Sequence, residues 1–231
     1  MTRYPLKVLR SGAVFLDTDD DCLAAAIALE ECGYSEDFCL GLDFDPAFAA
    51  ALMAAGFLVM SCVSDGKYIL LPRHHLIRSC LFFPELHIKK NIRRHLGRYR
   101  LFYDRDFELI LDKCVAVHGD DWLTGPLVKT IREIRDSPHL PARPVSFALY
   151  RDGKLAAGEF GIKAGMVYTS YSGYYDESNA GTVQMILTAQ YLENSGFSFW
   201  DLGMPLDYKL TIGAREITRK EFLDLFLKAQ K

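Results

Sequence analysis

No run of about 18 apolar residues occurs in this 231-residue sequence, so no transmembrane helix is expected. The opening, MTRYPLKVLRSGAVFLDTDDD, lacks an apolar stretch of signal-peptide length. Cysteine is scarce and one-sided. Cys22, Cys32, Cys39, Cys62, Cys80 and Cys114 make no CxxC pair, and none follows position 114. That spacing argues against a zinc knuckle or a disulfide scaffold, and points to reduced thiols in a cytoplasmic protein. His74 and His75 are adjacent, with no Cys or carboxylate at ligand spacing, so no metal site is expected. A strong excess of one charge is also missing. With 27 basic and 30 acidic residues the net charge is -3, which argues against a general nucleic-acid coat protein and leaves room for a local basic patch. Neither DNA nor a membrane is expected as a partner. Internal repeats and low-complexity segments are absent.

What is present is a chain that is 50% hydrophobic and able to bury a sizeable core. Its first part is acidic and alanine-rich. TDDDCLAAAIALEECG reads as a capped helix stopped by Gly33. DFDPAFAAALMAAGF reads the same way, with Asp45 as N-cap, Pro46 in the first turn and Gly56 at the end. GKYILLP is a short strand after a turn at Asp65-Gly66. Then HIKKNIRRHLGRYR reads as a basic helix carrying Lys89, Lys90, Arg93, Arg94, Arg98 and Arg100. DRDFELILDKCVAVHG and PLVKTIREIRDS read as two further helices.

After Pro144, VSFALYRDGKLAAGEFGI is two strands joined at Asp152-Gly153, a strong hairpin signal. A short connection leads to a third strand, MVYTSYSGYY. The polar loop DESNAG, the helix TVQMILTAQYLENSG and the apolar strand FSFWDLG follow. A short IGAREI segment and a helix starting near Thr218 close the chain. This is an α+β pattern, a mixed sheet flanked by helices, behind a small N-terminal α/β domain. The boundary is expected between residues 65 and 66, giving domains 1–65 and 66–231. The order resembles the GNAT-type acyltransferase fold. In such folds the loop-to-helix junction, here Asn179-Ala180-Gly181-Thr182, commonly offers backbone N–H groups to a phosphate, although a plain helix cap reads the same way.

Several segments together resemble the bacterial leucyl/phenylalanyl-tRNA–protein transferases, over about Gly41 to Phe226. They are GLDFDPAFAAALMAAGF, LPRHHLI, LHIKKNIRR, DWLTGPLVKTI, KLAAGEFGI, SNAGT, WDLG and IGAREITRKEFLDL. The resemblance implies transfer of an amino acid from aminoacyl-tRNA to the N-terminal amine of an acceptor protein, which tags it as an N-degron. It implies no cofactor beyond the charged tRNA. Two alternatives stand beside it. One is a GNAT-type enzyme acylating a small amine, with acyl-CoA possible as donor. The other is a catalytically inactive relative that binds tRNA or a peptide.

The chain departs from the family pattern at the chemistry. The family glutamate on the third strand falls at Tyr171, between Ser170 and Ser172. The family's D-C-Q reads Asp201-Leu202-Gly203. Lys67-Tyr68 stands for a tryptophan pair, Val145 and Ala148 for a His and a Glu, and Gly181-Thr182 for Ser-Lys. An apolar residue that walls the family's amino-acid pocket is Glu159 here.

From these residues a candidate site follows. Asp201, an acid inside an apolar strand, is the first candidate to accept or orient the amine proton, or else a turn cap. If Ile162 pairs with Tyr168, Glu159 sits opposite Tyr171 and replaces the missing carboxylate. Alternatively Glu159 selects a cationic or amine-bearing substrate, or a one-residue register change turns it to solvent. Tyr171 is a candidate oxyanion donor or substrate holder. Tyr68, Arg73, Ser172, Asn179 and Asp207 are candidate substrate-binding residues. Lys89, Lys90, Arg93 and Arg94 form the expected tRNA-facing patch.

Overall fold

Asp21 and Asp45 start the first two helices, as the sequence suggests. Asp21 Oδ1 accepts from the Leu23 and Ala24 N–H groups at 3.1 and 3.0 Å and opens Cys22–Glu31. Asp45 accepts from Phe48 N–H at 2.9 Å and opens Pro46–Ala54. The small side chains of Ala25, Ala26, Ala49 and Ala50 are fully buried, so these helices pack closely. Asp65 and Gly66 both take positive φ, 49° and 72°, and turn Leu58–Ser64 back on Lys67–Arg73. The computed structural model describes residues 4–119 and 121–230.

The chain divides into two units. One takes the chain up to Ile77, His118–Arg143 and the chain from Thr218; the other takes Arg78–Val117 and Pro144–Ile217. The sequence suggests one boundary after residue 65, but each unit draws on separate stretches of chain. A sheet pairs strands that are distant in sequence, and a composition shift along the chain does not reveal that.

The first unit is tied together at Arg219, which begins the terminal helix Arg219–Lys228 behind its Thr218 cap. Its buried guanidinium donates to the carbonyls of Tyr34, Glu36 and His74 at 2.5, 2.6 and 2.8 Å. A planar fork satisfies three diverging carbonyls where an ammonium could not.

The second unit is built on a seven-stranded sheet. In chain order its elements are β1 (Ile77–Leu81), β2 (Arg100–Tyr103), α1 (Phe107–His118), β3 (Ala142–Arg151), β4 (Lys154–Ala164), β5 (Val167–Tyr175), α2 (Ala180–Asn194), β6 (Phe199–Asp201), α3 (Asp207–Leu210) and β7 (Arg215–Thr218). The strand order is β7-β1-β6-β5-β4-β3-β2. β6 runs parallel to β5 and antiparallel to β1. One face carries α2 over Val145, Phe147, Leu149, Ala157, Tyr168 and Trp200. The other carries α1, where Phe107 meets Phe160 at 6.2 Å between ring centroids.

Two expectations change here. The basic helix over residues 87–100 is only a four-residue turn, Lys90–Arg93, and a 3-10 turn, Leu96–Arg98. Lys89 caps nothing with its side chain, and Lys89, Lys90, Arg93 and Arg94 repel one another at helical spacing. The β4–β5 register also differs. A two-residue turn at Gly165-Met166 pairs Ile162 with Thr169, and a bulge at Tyr171 pairs Glu159 with Gly173 instead of Tyr171.

Replacing Arg219 by Met leaves three carbonyls, that of His74 buried, without their charged donor. Unfolding free energy is expected to fall by about 3 kcal/mol, read as a lower urea midpoint at unchanged slope. Arg219→Lys is expected to recover only part of this.

Candidate active site

Asp201 ends β6 and is fully buried. Its Oδ2 lies 3.3 Å from Nη1 of Arg78, which is 1% exposed. The Thr169 hydroxyl donates to Oδ2 at 2.9 Å, and the Gly203 N–H donates to Oδ1 at 2.9 Å. The sequence predicts an acid in an apolar strand. The structure adds its counterion, carried on the neighbouring strand β1. A buried carboxylate with an arginine and two hydrogen bonds is satisfied, which explains how the apolar run tolerates it.

Glu159 is also buried, but it faces the other side of the sheet. Asp201 pairs with Thr169 and Trp200 with Tyr168, so Asp201 and Trp200 point to opposite faces. The Trp200 indole N–H donates to the Ser170 hydroxyl at 2.8 Å, and that hydroxyl donates to Glu159 Oε1 at 3.4 Å. Glu159 therefore belongs to the Trp200 face, beneath α2. Burial pushes its carboxyl up to about 7, opposed by the neighbouring polar groups of Gln184, Tyr168 and Ser170 and by the charge of Lys209. Ser170 reaches this face because it pairs with Gly161, two residues along β4 from Glu159, ahead of the bulge at Tyr171.

Lys209 is the remaining charge in the cluster. It is 5% exposed, and its Nζ donates to the carbonyls of Leu202 and Met204 at 2.5 and 2.6 Å. Burial lowers its pKa to about 8, while Asp201 and Glu159 work against that shift. Arg78 and Lys209 escaped the sequence reading. Each is a lone cation inside an apolar stretch, LIRSCLFF and DYKLTIG, and that signal was available.

The other candidates are scattered. Tyr171 is half-buried at the bulge, its ring 6.0 Å from that of Phe160, whose side chain points away from the Glu159 face. Ser172 is buried on that same opposite face and interacts with Cys114, whose thiol burial pushes up to about 12. Asn179 is exposed, in the left-handed region at φ 69°, and makes no side-chain cap to α2. Asp207 is exposed in the first turn of α3. Tyr68 and Arg73 lie on Lys67–Arg73 in the first unit, Tyr68 exposed and Arg73 packed 5.9 Å from the Phe38 ring. Lys89, Lys90, Arg93 and Arg94 are all exposed. Beside them a cleft of about 130 Å³ is lined by His87, Lys89, Asn91, Thr182 and Thr211 over Ile92, Ile186 and Ile212. Among the described residues, no group of three His, Cys, Asp or Glu is placed to hold a metal ion.

The raised Glu159 carboxyl has a sign-definite consequence. Its folded value near 7 exceeds the ordinary 4.5, so the folded state holds the proton more tightly. Wild-type stability then falls as pH rises from about 4.5 to about 7 and levels off above that. Glu159→Gln removes the slope. It is expected to match wild type near pH 4 and to exceed it by about 3 kcal/mol at pH 8, measured by urea unfolding at both pH values.

Comparison with known proteins places this cluster in a family. The leucyl/phenylalanyl-tRNA protein transferase family model matches residues 80–227. The match encloses Glu159, Asp201, Lys209 and the basic segment, and it does not reach the segments between residues 41 and 79 that the sequence also suggests. A leucyl/phenylalanyl-tRNA–protein transferase of Pseudomonas putida (strain W619) is 30% identical over 150 residues, 64% of this chain and 66% of that protein. One from Pseudomonas entomophila (strain L48) is 28% identical over 152 residues, with the same coverage. The alignments thus span just under two thirds of these relatives. Among solved structures, FemX superposes with a TM-score of 0.47 at 10% identity, over 89% of this chain and 78% of that one. The chain belongs to the leucyl/phenylalanyl-tRNA protein transferase family.

Proposed function

We propose that this chain transfers an aminoacyl group from aminoacyl-tRNA to the N-terminal amine of an acceptor protein or peptide, and so marks the acceptor as an N-degron in the cytoplasm. The observation that carries the reading is Glu159, a buried carboxyl with a pKa of about 7 inside the segment matched by the family. An acceptor amine must lose a proton to attack, and a general base works best when its pKa lies near the working pH. The amine nitrogen forms the new C–N bond at the ester carbonyl, and the bond to the terminal ribose oxygen breaks. Glu159 takes the amine proton and returns it to that oxygen. Ser170 and Trp200 orient the carboxyl. Asp201 serves as a positioning residue, since its oxygens are occupied by Arg78, Thr169 and the Gly203 N–H. Tyr171, half-buried at the bulge beside Ser170, is read as a substrate holder.

The exposed basic segment supports tRNA as donor. Lys89, Lys90, Arg93, Arg98 and Arg100 are exposed and form no ion pair among the described residues. Unpaired cations that concentrate counterions are what a phosphate backbone displaces. We read the sheet as GNAT-like: an antiparallel hairpin, a third strand, a helix packed back on them, and a parallel strand after it. Among the described residues no helix is long and apolar enough to cross a membrane.

Two measurements test the reading. Glu159→Gln is expected to lower kcat by about a hundredfold or more, with tRNA affinity unchanged, and to abolish a rise in wild-type kcat through about pH 7. A variant with full activity and the same pH profile removes Glu159 from the chemistry. Neutralising Lys89, Lys90, Arg93 and Arg94 together is expected to reduce the slope of log affinity for tRNA against log salt by about 3. An unchanged slope removes the segment from the RNA interface.

A further inference from the structure

The segment that follows Asp201 reverses the usual placement of side chains. In MPLDYKL, Met204, Leu206, Tyr208 and Leu210 are 51%, 42%, 53% and 46% exposed, while the one lysine, Lys209, is turned inside. A four-residue helix such as α3 does not hold itself together in water. Lys209 pins it from below through the Leu202 and Met204 carbonyls. The apolar side chains are therefore held outward by a buried cation. Four large exposed apolar side chains within seven residues mark a surface that a partner covers.

The position and charge of the segment select the partner. Lys209 ties the segment to the Leu202 carbonyl, one residue past Asp201, so the segment lies beside the buried acids; burial, and then the Glu159 charge, raise the Tyr208 hydroxyl. Asp207, in the middle, is exposed and forms no ion pair among the described residues. An uncompensated carboxylate among apolar side chains repels a polyanion, so RNA is the wrong occupant here; the cations of residues 89–100 are its complement. A flexible polypeptide that is apolar and not acidic satisfies both features. We propose that Met204–Leu210 is the docking surface for the leading segment of the acceptor polypeptide, which lays apolar side chains on Met204, Leu206, Tyr208 and Leu210 and avoids negative charge opposite Asp207. The inference rests on the proposed transfer to a protein N-terminus.

The test uses the full chain and reads binding separately from turnover. The probe is a short unstructured peptide with a free amino terminus followed by leucine and phenylalanine, carrying a dye at its C-terminus and read by fluorescence anisotropy. The exposed triple variant Met204→Ser/Leu206→Ser/Leu210→Ser is expected to bind it at least about tenfold more weakly, a loss of about 1.4 kcal/mol, while tRNA affinity stays unchanged. Asp207→Lys is expected to favour a glutamate-bearing version of the peptide over a lysine-bearing one, reversing the wild-type order. Equal peptide affinity in wild type and triple variant overturns the proposal. So does a wild-type dimer in sedimentation that becomes monomeric in the triple variant with peptide affinity unchanged, since the surface then joins two copies. Peptide binding without any aminoacylated product from wild type overturns the transfer reading and leaves the docking surface standing.

Discussion

The ion pair between Arg78 and Asp201 is the constraint around which the second unit is arranged. Both groups are essentially inaccessible to water, and they sit on adjacent strands of one sheet. Removing either partner leaves a buried, uncompensated charge, a loss of about 3–5 kcal/mol. The pair therefore favours β1 and β6 as neighbours, since separating them leaves two buried charges unpaired. It also fixes the turn beyond β6, whose Gly203 N–H completes the carboxylate shell and whose carbonyls Lys209 gathers in. Gly203 takes φ 74°, a left-handed conformation that suits glycine and aims its N–H back at Asp201.

Asp201 is committed to this structural task, and under the proposed function the chemistry falls to the acid on the other face. Glu159 and Asp201 look like partners in the sequence, two carboxylates in two apolar strands. Strand alternation separates them by the thickness of the sheet. One has an arginine, a hydroxyl and a backbone N–H, whereas the other has hydroxyls, an amide and a more distant lysine. That difference in surroundings sets the two buried acids apart, one held by its counterion and one with its carboxyl raised by burial. Lys209, between them in its electrostatic reach, restrains both.

The surface continues the same division of charge. Cations along residues 89–100 stand outward without acidic partners among the described residues, while the lysine nearest the cluster is folded in and an aspartate is left out. Under the proposed function, two partners of opposite electrostatic character would be kept to separate places on one unit, a polyanion along the basic segment and a non-acidic chain at the rim.

Much of this was legible in the sequence. The Asp caps, the Asp152-Gly153 hairpin, the long helix after the polar loop and the apolar strand ending in Asp201 follow from local chemistry: capping oxygens, positive-φ turns and apolar periodicity. So does the presence of an odd acid at 201 and of an odd acid at 159. What the sequence could not decide was who meets them. The bulge at Tyr171 and the two-residue turn at Gly165-Met166 shift the β4–β5 register by steps of one residue, and each step exchanges the two faces of a strand. The basic run lost most of its helix because like charges at helical spacing outweigh residue propensity. The sequence alone determined that this chain carries two acids in apolar strands and a cluster of exposed cations. Only the tertiary structure decided that Arg78 neutralises one acid while the other remains a titrating group, because burial and pairing depend on strands brought together from distant parts of the chain.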